Sequence, residues 1–141
     1  MTDGVDLRSL LERVQKAQGP DRELDAILSC SFKFTKLRPA RPTDFDGKYG
    51  YSPGNMKTQH GFLMSDLCTS SIDDALNLVS ELLPLKATDI LREAISAEGK
   101  RYSRHIALRP LDRVELARDV IAGLLLALIT KAEREEGVGE F

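Results

Sequence analysis

Val120 to Ile129 is a run of ten residues, apolar throughout and broken only by the side-chain-less Gly123. No other feature limits the possible folds of this chain as much. A helix that crosses a bilayer needs roughly 20 such residues, and Asp119 and Lys131 stand close on either side. An apolar helix of this length that cannot span a membrane has to be buried in protein. With Leu111, Val114, Val120, Ile121, Leu124, Leu125 and Leu128 it forms a wide apolar face. The expected helix opens at Pro110 or Asp112 and runs to about Glu135. The remaining chain must wrap around it. At 42% apolar and 30% charged residues over 141 positions, the composition suits one globular core.

Other helices announce themselves by period. Leu7, Leu10, Leu11, Val14 and Ala17 share one helical face over Asp6–Gln18, which Gly19 and Pro20 stop. Pro20 then suits the first turn of a second helix, with Asp21 and Glu23 at its positive end and Leu24, Ile27 and Leu28 as its stripe. A third helix starts after Ser70 or Ser71 as N-cap. It carries Ile72, Ala75, Leu76, Val79, Leu82 and Leu83 and ends at Pro84. A fourth, Thr88–Ala97, presents Ile90, Leu91, Ala94 and Ile95 and stops before Gly99.

Between residues 33 and 66 the helical period is lost. Phe32–Leu37 alternates and Gly61–Met64 offers another short strand, while Arg41–Asn55 reads as loop. Arg101–Leu108 switches to period two, with Tyr102, Ile106 and Leu108 on one face, and reads as a strand. The expected fold is α+β: a helix-rich single domain over residues 1–141, with a small antiparallel or mixed sheet sandwiched between helical layers. Residues 1–5 and 134–141 are expected to fray, and 38–60 to form a long loop. The third and last helices should pack on each other.

Three pieces, in this order, resemble the phage α-β-α sandwich domain family. They are Arg22-Glu23-Leu24-Asp25-Ala26, then Thr69-Ser70-Ser71-Ile72-Asp73-Asp74-Ala75-Leu76-Asn77-Leu78-Val79, then the Ala- and Leu-rich helix Ala117–Ala132. The resemblance covers about two fifths of the chain. It implies a small sheet between helices in a phage or prophage accessory protein of no established activity, and it carries over no catalytic residues. The chain departs from the family where a Pro-Glu-Gly-Trp turn normally follows the second piece. Here Ser80-Glu81-Leu82-Leu83-Pro84 extends the helix, and the chain has no tryptophan.

Enzyme signatures are missing: no GxSxG, GxxxxGK[ST], HExxH or GxGxxG occurs. Gly47–Gly54 is Gly-rich, but no strand before it and no helix after it would aim amides at a phosphate. The carboxylates Asp73 and Asp74 suit a helix start. Cys30 and Cys68 lack a CxxC partner or a neighbouring histidine and read as small buried hydrophobes. No cofactor or metal site is expected. With neither a signal-like N-terminus nor a membrane-length run, the expected location is the cytoplasm, that of the host cell if the protein is phage-encoded, without membrane contact.

One charge pattern stands out. Residues 33–60 carry Lys33, Lys36, Arg38, Arg41, Lys48 and Lys57 against Asp44 and Asp46, a net of +4. Residues 100–113 carry Lys100, Arg101, Arg104, Arg109 and Arg113 against Asp112, also +4, in a chain of net charge −2. All three tyrosines and both histidines lie in these two segments. Arginine with aromatic rings suits an anionic, planar ligand. The leading functional expectation is therefore non-enzymatic binding of an anionic small molecule, a nucleotide or a short nucleic-acid segment. The groove would hold Arg101, Arg104, His105, Lys36, Arg38, Tyr49, Tyr51 and His60, with the two basic segments facing each other. The alternatives are a protein-interaction module or homodimeric structural component of phage origin, and an enzyme of unknown class.

Overall fold

The computed structural model describes residues 6–45, 52–102 and 113–138. Five helices are present among them: α1 (Leu7–Lys16), α2 (Arg22–Phe32), α3 (Ile72–Leu82), α4 (Ala87–Tyr102) and α5 (Arg113–Val138). Three short strands, β1 (Arg38–Pro39), β2 (Asn55–Lys57) and β3 (Phe62–Met64), form an antiparallel sheet in the order β1-β2-β3. The fold is α+β, as the periodicities predict.

The apolar run does sit at the centre. Leu116, Ala117, Val120, Ile121, Leu124 and Leu125 on α5 are buried against α1, α3 and α4. α3 contributes Ala75, Leu78 and Val79, so the expected α3–α5 packing is present. Leu10 and Val14 bring α1 in, and Leu24 and Leu28 bring in α2. A second, smaller cluster joins α2 to the sheet: Ala26 and Cys30 enclose the fully buried Met56 of β2, with Phe34 and Leu37 beside them.

Side-chain caps set the helix starts. Asp6 accepts the Ser9 N–H at 3.1 Å and opens α1. Ser71, one of the two expected serines, accepts the Asp74 N–H and opens α3. Asp21 accepts the Leu24 N–H at 3.0 Å and opens α2. Pro20 therefore precedes the cap and is not a first-turn residue, because a proline has no side-chain oxygen to satisfy that amide.

Several expectations need correction. Phe32 closes α2, and Phe34 and Leu37 fold beneath the sheet, so the strand in this region is β1. The described residues of 38–60 include β1, a 3-10 turn over Pro42–Asp44 and β2. The expected strand over 101–108 begins as helix: α4 continues past Gly99, and Arg101 and Tyr102 are its last residues. A glycine inside a helix costs only about 1 kcal/mol relative to alanine, too little to end one by itself. Residues 103–108 lie outside the described residues. α5 extends to Val138, so residues 134–138 of the expected tail are helical.

Candidate functional site

The Arg-Glu-Leu-Asp-Ala and Thr-x-Ser motifs meet in one buried polar knot. Asp25 is fully buried. It accepts the Thr69 N–H at 2.8 Å and pairs with the Arg22 guanidinium at 2.6 Å. Burial pushes its carboxyl up from the ordinary aspartate value, and the bonds from Thr69 and Arg22 oppose that shift. Arg22 also donates to the carbonyls of Ser65 and Asp66, both at 3.3 Å. Thr69 Oγ1 accepts the Asp21 N–H at 2.9 Å. Gly54, at φ +91°, lies directly under the guanidinium, where a Cβ would come within 2.6 Å of Arg22 Nε. No atom of Asp25 is exposed, and the knot ties α2 to the segment before α3.

The cysteines are buried, as expected. Burial raises the thiol of Cys30 to about 11 and that of Cys68 to about 12. Neither supplies a thiolate near neutral pH. Among the described residues no group of three or more His, Cys, Asp or Glu is placed to hold a metal ion, and no helix is long and apolar enough to cross a membrane.

Only part of the predicted anion site lies among the described residues. Tyr49, Tyr51, Arg104 and His105 fall outside them, and Arg101 is in the last turn of α4. Lys36 is exposed between α2 and β1, and His60 is exposed in the turn between β2 and β3. Arg38 makes a two-pronged pair with Asp44, at 2.8 and 2.6 Å. That pair, with the Arg41 N–H, holds the Asp44 carboxyl far below its usual range. Lys33 pairs with Asp66 at 3.0 Å and lies 3.8 Å from Glu81. Two cations of the first basic segment are thus neutralised by neighbours.

What the sequence does not reveal is the aromatic content of the sheet's outer face. Cross-strand register aligns Arg38, Lys57 and Phe62. Phe45 stacks on Phe62 with ring centroids 4.4 Å apart, and Lys57 Nζ lies 5.1 Å from the Phe62 ring.

A larger feature lies on the far side of α5. α4 and α5 enclose an open groove of about 520 Å³ floored by Ile90, Ala94, Ala122, Gly123, Leu126 and Ala127. Small residues make it: the Gly123 Cα passes so close to Ile90 that a Cβ there would lie 3.1 Å from Ile90 Cγ2. Leu126 remains 56% exposed in the groove. Glu93, Lys86, Lys131 and Arg134 stand on the rim. The sequence did contain a signal for this surface. Ten apolar residues at 100° per residue go right round a helix, so a core on one side of α5 cannot cover them all.

Compared with family models, curated proteins and solved structures, the chain matches none.

Proposed function

We propose that this protein is a non-enzymatic protein-interaction module whose α4–α5 groove receives an amphipathic helix of a partner protein. The observation that carries the reading is the apolar circumference of α5. Its inner side meets α1 and α3, while Leu126, Ala127 and Ala122 face an open groove. An apolar floor with charges of both signs on its rim suits a helix with an apolar stripe at i, i+3, i+4 and i+7 and mixed charge beside it. The buried, unreactive cysteines and the fully enclosed Asp25 support a binding role over catalysis. Neutralisation of Lys33 and Arg38 by Asp66, Glu81 and Asp44 favours this reading over an anionic ligand.

The test is selection of helical peptides from a displayed library against the intact protein. Peptides with apolar residues at helical spacing are expected, losing at least tenfold in affinity toward Leu126→Arg. Selected peptides that bind Leu126→Arg equally well would overturn the assignment, as would the recovery of none.

A further inference from the structure

The two edges of the sheet are not alike. Ala40 donates its N–H to Asn55 at 2.9 Å, so Arg38 and Ala40 turn their backbone groups toward β2. By the alternation of an antiparallel ladder, Pro39 faces outward. Proline has no N–H, so that edge is blocked to a further strand. On the opposite side, Ser65 donates to the Gly54 carbonyl at 2.8 Å and Thr58 to that of Gly61 at 2.9 Å. Residues 61, 63 and 65 therefore face β2, and the N–H and C=O groups of Phe62 and Met64 face outward. This edge carries no proline and no charge. Phe62 and Leu63 are each 42% exposed, Met64 is 68% exposed, and Leu67 beside them is 42% exposed. Among the described residues no strand pairs with this edge, and an open edge with an apolar surface invites another strand.

We propose that β3 pairs antiparallel with β3 of a second copy of this chain, about a two-fold axis through Leu63. This centre uses all four outward groups. Phe62 of one copy exchanges both hydrogen bonds with Met64 of the other, and the symmetric pair does the same. Centring on Phe62 or on Met64 leaves groups unpaired. The same axis sets Leu63 against Leu63 across the closer, non-hydrogen-bonded position, and Phe62 against the Met64 thioether, a favourable ring–sulfur contact. Continuing outward, His60 faces the second copy's Asp66, so no like charges meet along the seam. The result is one six-stranded sheet shared by two molecules. Three residues per strand bury less than the roughly 1,200 Å² of a stable standard interface, so the dimer is weak and concentration-dependent. It uses a different surface from the α4–α5 groove.

Leu63→Cys tests the axis directly, because the two Cα atoms fall within disulfide range. Under mild oxidation this variant is expected to form a covalent dimer at least tenfold faster than Gln59→Cys, an exposed control. Cys30 and Cys68 are buried and supply little background. Adding Met64→Pro, or Met64→Lys if the first does not fold, is expected to remove the cross-link. Leu126→Arg is expected to leave it intact, which separates this proposal from the groove reading. The pairing is overturned if Leu63→Cys cross-links no faster than Gln59→Cys, if Met64→Lys cross-links normally, or if scattering shows a dimer of Leu63→Cys in which the introduced thiol stays reduced.

Discussion

The carboxylate of Asp25 and the backbone N–H of Thr69 meet at 2.8 Å across 44 residues of chain. The bond lies inside the protein, and Arg22 holds the other carboxylate oxygen. Truncating the carboxylate strands a guanidinium and an amide together. Asp25→Ala is expected to lose roughly 3–5 kcal/mol of folding stability, read by urea denaturation. Asp25→Asn should lose less, since its amide oxygen still accepts from Thr69. Equal losses would show that the bond accepted from Thr69 contributes nothing without the carboxylate charge.

Gly54 supports the same knot from below. A side chain there must adopt positive φ and displace Arg22. Gly54→Ala is expected to cost at least about 1–2 kcal/mol from backbone strain alone. The rest of its effect should vanish in an Arg22→Ala background, because nothing remains to be displaced. A double-mutant cycle measures that coupling, and strictly additive losses would refute the contact.

Two leucines two residues apart on α5 should behave oppositely. Leu124 is fully buried and Leu126 is 56% exposed. Leu124→Ala is expected to cost about 2–5 kcal/mol, and Leu124→Asp to give no soluble protein, since it buries an unpaired charge. Leu126→Asp should stay within about 0.5 kcal/mol of the parent. Unfolding of Leu126→Asp would show that the groove is closed.

Asp44 makes stability depend on acid. Its hydrogen bonds from Arg38 and Arg41 lower its folded-state pKa below the ordinary 3.8. The pair therefore contributes fully above that value and loses its contribution as pH falls toward the lower, folded-state value. Asp25 acts in the opposite sense: its pKa is raised, so its contribution shrinks as pH rises from 3.8 through the folded value. The difference in urea midpoint between the parent and Asp44→Asn is expected to narrow steadily below pH 3.8. A constant difference from pH 7 to pH 2 would show that the pair is broken in solution.

Long elements were legible because period and caps agree. The stripe of α3 and its Ser71 cap point to the same start, and the ten apolar residues of α5 require a central position whatever the topology. Short elements were not. Asn55-Met56-Lys57 is too brief for a period-two pattern and follows Pro53-Gly54, so it reads as loop until Met56 is seen buried under α2. Arg101 and Tyr102 alternate with the residues after them, yet they close α4. The candidate sites were less legible still. A strand's outward amides depend on register, which residue types do not encode. Only the excess of apolar residues on α5 hinted at an uncovered face.

Arg8 of α1 pairs with Glu133 of α5, 125 positions away. Of the five helices, the first made on the ribosome therefore packs against the last. At 5–20 residues per second, α1 waits on the order of 5–20 s for α5 to emerge. Throughout that interval Leu7, Leu10, Leu11 and Val14 lack the surface that buries them in the finished molecule. A nascent chain stalled before residue 113 would expose this stripe to any holdase in reach, and release of the full chain would withdraw it.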